Sequence, residues 1–148
     1  MRTTYRVLAY ALAVEVLVQA MAIAYALAGL GKWVEDDGGV LTKKVLDDES
    51  AHFHGIGGFA LHGVNGMMVI PVLTLLLLVV SFFAKFPGAS RRAGVLVGLV
   101  VLQVVLGLAL HGVPYVAPLH ALNAFGILVM AYLAGARTPT TSAVPATA

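Results

Sequence analysis

The chain has 148 residues, 60% of them hydrophobic and 11% charged, with a mean hydropathy of +0.95 and a formal net charge of +2. This composition is too apolar for a soluble domain of this length, and its few cations, placed beside apolar stretches, lack the clustered basic face that a nucleic-acid partner needs. Cysteine is absent, which excludes disulfides, iron–sulfur clusters and thiolate-bound metal and leaves histidine, carboxylate or a prosthetic group to hold any metal.

Four apolar runs are long enough to cross roughly 30 Å of hydrocarbon as helices, at about 5–30, 58–84, 92–111 and 116–136. The fold class they predict is all-α, an integral-membrane four-helix bundle occupying residues 1–137. In the first run, Arg2 and Arg6 before an apolar stretch imitate a signal peptide, but the run is too long and holds Glu15 and Gln19, so it reads as a mature helix. Glu15 falls near mid-membrane with Gln19 one turn above it, a place where an acid relays protons or sits neutral in an interhelical bond. The outer loop, 31–57, contains the turn Glu35-Asp36-Asp37-Gly38-Gly39 and a short surface helix over 40–46.

In the second run Pro71 predicts a kink. A basic turn, Lys85 to Arg92, leads to the third run, whose Gly94-x-x-x-Gly98 predicts close helix packing. Pro114 and Pro118 shape the link to the fourth run, and the Thr/Pro-rich tail, 138–148, has too little apolar content to pack and is expected to be disordered. Arg2, Arg6, Lys85, Arg91, Arg92 and Arg137 fall on one side of four crossings, which predicts a plasma-membrane protein with both termini cytoplasmic and the acidic loop outside.

Leu61-His62-Gly63-Val64-Asn65-Gly66 recurs 58 positions later as Leu119-His120-Ala121-Leu122-Asn123-Ala124. Each copy opens an apolar run and follows a run carrying a glutamine, Gln19 or Gln103, which suggests two pseudo-symmetric helical hairpins. An imidazole in hydrocarbon is costly without a partner, so the matched histidines predict a shared ligand, most simply a b-type haem with His62 and His120 as axial ligands of its iron. Gly66 and Ala124, one turn on, leave room for a flat macrocycle, and Asn65 and Asn123 can bond between helices or to a ring substituent. The competing reading is that each His/Asn pair fastens helices together. His52, His54 and His111 gather on the same outer side as alternate ligands or a second metal site.

Leu102-Gln103-Val104-Val105-Leu106-Gly107, the turn with Pro114 and Pro118, and His120 followed by Ala124 resemble the third and fourth helices of a haem A synthase half-domain. The resemblance implies a four-helix bundle holding haem between histidines of its second and fourth helices, here His62 and His120, with haem O or haem A as substrate or product. It also implies oxidase-assembly partners. The family carries glutamate three residues before the second-helix histidine and arginine after it, where this chain has Phe59 and Gly63; Glu49-Ser50-Ala51-His52 has the Glu-x-x-His spacing, which makes Glu49 the candidate catalytic residue. The family has two bundles and this chain one, so a homo-oligomer would combine sites. Three functions stay open: a haem O oxidising enzyme, a quinol-linked b-type cytochrome, and a cofactor-free accessory protein.

Overall fold

A computed structural model of the protein describes residues 1–47, 50–110 and 112–139; Glu49, His111 and all but the first two residues of the expected disordered tail lie outside them. The elements are α1 (Arg2–Glu35), α2 (Lys43–Asp47), α3 (Gly57–Val64), a π-helical turn (Asn65–Val69), α4 (Ile70–Phe83), α5 (Ala89–Ala109), a 3-10 turn (Pro114–Val116) and α6 (Ala117–Ala136). The fold is all-α, with no strand among the described residues. Among the described residues, four helical segments are long and apolar enough to cross a membrane, Arg2–Glu35, Gly57–Phe83, Ala89–Ala109 and Pro114–Ala136, with mean hydropathies of 2.1, 2.6, 2.1 and 1.7. This is the architecture of a multi-pass membrane protein, as the composition predicts.

The ends differ from the sequence expectation where polar residues join a helix. α1 runs on to Glu35, and Lys32 bonds Asp36 at 2.7 Å just beyond its end. α5 starts at Ala89, so Arg91 and Arg92 stand inside its first turn, after Gly88 at φ 78°. Thr42 caps α2 through its Oγ1, which accepts from the Val45 N–H at 3.2 Å. Thr138, placed by the sequence reading in the loose tail, is buried and donates its hydroxyl to the Ala134 carbonyl at 2.8 Å. The kink expected at Pro71 takes the form of the π turn just before it: proline has no N–H to bond the fourth carbonyl back, and widening the preceding turn makes room for its ring.

The described residues form two compact units, Leu17–Val69 and the combination of Met1–Val16 with Ile70 onward. In the latter, the buried positions repeat at alternating steps of four and three: Tyr5, Ala9, Leu12, Val16 on α1; Ile70, Thr74, Leu77, Ser81 on α4; Ala89, Ala93, Leu96, Val100 on α5; Ile127, Ala131, Ala134 on α6. A stripe with this spacing is the seam of helices packed side by side. Small residues populate it, while Val7, Val14, Leu75, Phe82 and Phe125 face outward, the distribution expected where lipid solvates the outer surface. The buried hydroxyls stay satisfied internally: Thr74 donates to the Ile70 carbonyl at 2.8 Å and Ser81 to that of Leu78 at 2.6 Å.

Gly94 and Gly98 do not make the close helix contact expected of them. Both are exposed, and a Cβ added at either would meet nothing within 4 Å.

Candidate functional site: two imidazoles held in one tautomer

Within the Leu17–Val69 unit, α3 carries His62 against α1. Its Nδ1 lies 3.2 Å from the backbone carbonyl oxygen of Gln19. A carbonyl can only accept, so Nδ1 carries a proton, and in the neutral ring Nε2 is then the acceptor. Close approach of the helices makes this possible: Gly58 is buried against α1, and a Cβ there would overlap the Ala22 carbonyl oxygen. One turn past His62, a Cβ on Gly66 would come 3.2 Å from Gln19 Nε2, so the small residue receives the Gln19 side chain. Gln19 is 9% exposed, and neither the oxygen nor the nitrogen of its carboxamide has a hydrogen-bond partner among the described residues. Asn65, the first residue of the π turn, is 4% exposed.

In the other unit, α5 and α6 place Gln103, His120 and Asn123 together. Asn123 Nδ2 donates to the Leu99 carbonyl at 2.9 Å and to Gln103 Oε1 at 2.7 Å, and Gln103 Nε2 lies 3.0 Å from His120 Nε2. The Leu99 carbonyl orients the whole chain of groups. It can only accept, so the Asn123 amide must turn its NH2 toward α5; Gln103 then accepts with its oxygen and directs its own NH2 at His120. His120 Nε2 therefore accepts and Nδ1 holds the proton. His120 lies over Gly107, where a Cβ would come 3.2 Å from its Cε1. Ala124 packs on the hydrophobic core.

Both histidines thus share the Nδ1–H tautomer, one through a backbone carbonyl and the other through two carboxamides. Residues 50–110 match a family of unknown function, DUF6220. The matched region includes His62, Asn65 and Gln103 and stops short of His120 and Asn123. No curated protein and no solved structure matches the chain.

The remaining sequence candidates are dispersed. His52 and His54 are exposed on the segment before α3, and among the described residues no three His, Asp or Glu side chains converge as a metal site. Glu15 is half-buried on α1. The Leu17–Val69 unit also has an open, apolar groove of about 500 Å³ whose lining includes Met21, Ala22, Tyr25, Gly55, Gly58 and Leu61. The groove offers lipid-like surface and no titratable cluster. The role of the Gln19 carbonyl was not foreseeable, because a backbone acceptor has no residue signature; the glutamine present in both the first and the third apolar run was the signal near it.

Proposed function

We propose that this protein is a haem-binding integral-membrane protein, with Nε2 of His62 and Nε2 of His120 each a candidate ligand for the iron of a b-type haem. The observation that carries the reading is the tautomer both imidazoles share. Iron ligation through Nε2 needs a neutral ring with its proton on Nδ1, and a hydrogen bond at Nδ1 is the usual way of fixing the ring and raising its basicity. His62 has that bond, to Gln19. His120 reaches the same protonation state through Gln103, whose NH2 sits where a ligating bond would form and must move aside for it. The unsatisfied Gln19 carboxamide supports the reading as well: a buried amide without partners costs about 1–3 kcal/mol, and a polar ring substituent or its water would relieve it.

The haem itself supplies one-electron redox chemistry. The chain supplies ring orientation through Gln19 and Gln103. The resemblance to haem A synthase extends this to an oxidoreductase acting on a haem methyl group in the plasma membrane, with Glu49 assisting; electron transfer from a quinol is the competing activity. Conversion of added haem O by the purified protein distinguishes the first, and haem reduction by a quinol without change of the macrocycle the second.

The primary test is a visible spectrum of the full chain purified after haem-replete expression. A Soret band is expected in the wild type and in His54→Ala, and its loss or strong reduction in His62→Ala and His120→Ala. Absence of the band from the wild type, or equal retention in all three variants, ends the proposal.

A further inference from the structure

The unit containing α4, α5 and α6 holds six cations, Arg2, Arg6, Lys85, Arg91, Arg92 and Arg137, and one carboxylate, Glu15. Some of these cations have structural employment. Arg2 donates to the Ala84 and Lys85 carbonyls at 3.3 and 3.0 Å, and Arg92 donates to the Pro87 carbonyl at 3.0 Å while lying 5.5 Å from the Phe86 ring centre. Arg6 and Arg137 differ: neither side chain forms a hydrogen bond or ion pair among the described residues.

These two arginines flank one seam. Tyr10 of α1 and Tyr132 of α6 meet with ring centroids 6.0 Å apart. Gly135 allows the approach, because a Cβ there would come 2.8 Å from the Tyr10 ring. Arg6 lies one helical turn before Tyr10 and Arg137 two residues beyond Gly135, so both arginines belong to the same end of the seam. Glu15 stands more than two turns from Arg6 along α1 and so cannot act as a counter-ion at that end.

We propose that this α1–α6 seam binds the phosphate of an anionic phospholipid, with Arg6 and Arg137 on the headgroup and Tyr10 and Tyr132 at the level where the acyl chains begin. Guanidinium forks match phosphate oxygens, and exposed tyrosines mark the membrane–water interface. A lipid fits better than free phosphate because exposed apolar side chains continue from the seam along both helices, Val14 on α1 and Phe125 and Val129 on α6. A free anion would use the cations and leave that surface unexplained.

Native mass spectrometry of the detergent-purified full chain, with phosphatidylglycerol and phosphatidylcholine in turn, tests the assignment. The wild type is expected to retain phosphatidylglycerol preferentially. Arg6→Gln/Arg137→Gln is expected to lower that retention roughly tenfold, while Arg91→Gln, which removes an exposed cation elsewhere at this end, leaves it unchanged. Equal retention of the two lipids, or an equal loss in Arg91→Gln, overturns the proposal. Should the double variant fail to fold, a photoactivatable phosphatidylglycerol on the wild type decides: labelling of peptides around Tyr10 and Tyr132 supports the seam, and labelling confined to the Pro114–Val116 turn refutes it.

Discussion

A single backbone carbonyl, that of Leu99, determines where the proton sits on His120, and it does so through two amides that could each otherwise be turned either way. Removing the middle of that relay has a readable consequence. In Gln103→Leu the His120 Nε2 loses its donor, so the Nδ1–H tautomer is no longer enforced. Nitrogen-15 spectra of histidine-labelled protein should show one tautomer at His120 in the wild type and a changed tautomer balance in the variant, with His62 unaffected; an unaltered His120 signal would show that Gln103 does not set its protonation. Asn123→Leu acts one link earlier, stripping Gln103 Oε1 of its donor. Interhelical polar contacts in membranes contribute about 0.6–1.7 kcal/mol, so the expected stability loss is about 1 kcal/mol, measured by unfolding in mixed detergent micelles. A loss indistinguishable from zero would mean that the relay orients His120 without holding α5 to α6.

At the scale of elements, the closeness of α1 and α3 is what brings the Gln19 carbonyl within reach of His62, and Gly58 sets that closeness. Gly58→Leu inserts a side chain where even a Cβ overlaps the Ala22 carbonyl, and overpacking of this kind costs about 1–3 kcal/mol. The expected outcome is a lower midpoint of thermal unfolding together with loss of the Nδ1-bonded signal of His62, and a variant that keeps both would show that the contact is slack. Such a contact could not be read from sequence, and the reason is contrast. When most residues are apolar, hydropathy marks the spans but not which face packs inward; here the inward faces are marked by Ala9, Ala93, Ala131, Thr74 and Ser81, whose smallness rather than oiliness fits them for the seam. Polar residues in an apolar background do stand out, so the two His/Asn pairs and the helices bearing them were legible. The Gly94/Gly98 spacing was legible too and misled, because a small-residue pattern identifies a surface capable of close approach without identifying what approaches it. Pro71 was read as a kink, and the structure has a π turn before it; whether proline bends a helix or widens its preceding turn depends on neighbours that the pattern does not encode.

On the scale of the whole molecule, charge placement opposes local helix electrostatics. Arg91 and Arg92 occupy the first turn of α5, where the helix dipole disfavours cations by about 0.3–1 kcal/mol each. An arginine at the centre of a membrane helix costs about 2.5–3.5 kcal/mol, so keeping both residues at the aqueous end is favoured even against the dipole. The same balance orients the chain: with six cations at one end of the packed helices, that end should remain in the cytoplasm. The absence of cysteine makes this directly measurable with single introduced thiols. Lys85→Cys, in the exposed turn between α4 and α5, should react with a membrane-impermeant maleimide only after cells are permeabilised, while Ser50→Cys, between α2 and α3, should react in intact cells. A reporter fused after Arg137 should give the cytoplasmic signal that four crossings demand. Labelling of Lys85→Cys in intact cells, or an external signal from the fusion, would mean that the cations are not what orients this protein, and the number of helices that cross would have to be counted again.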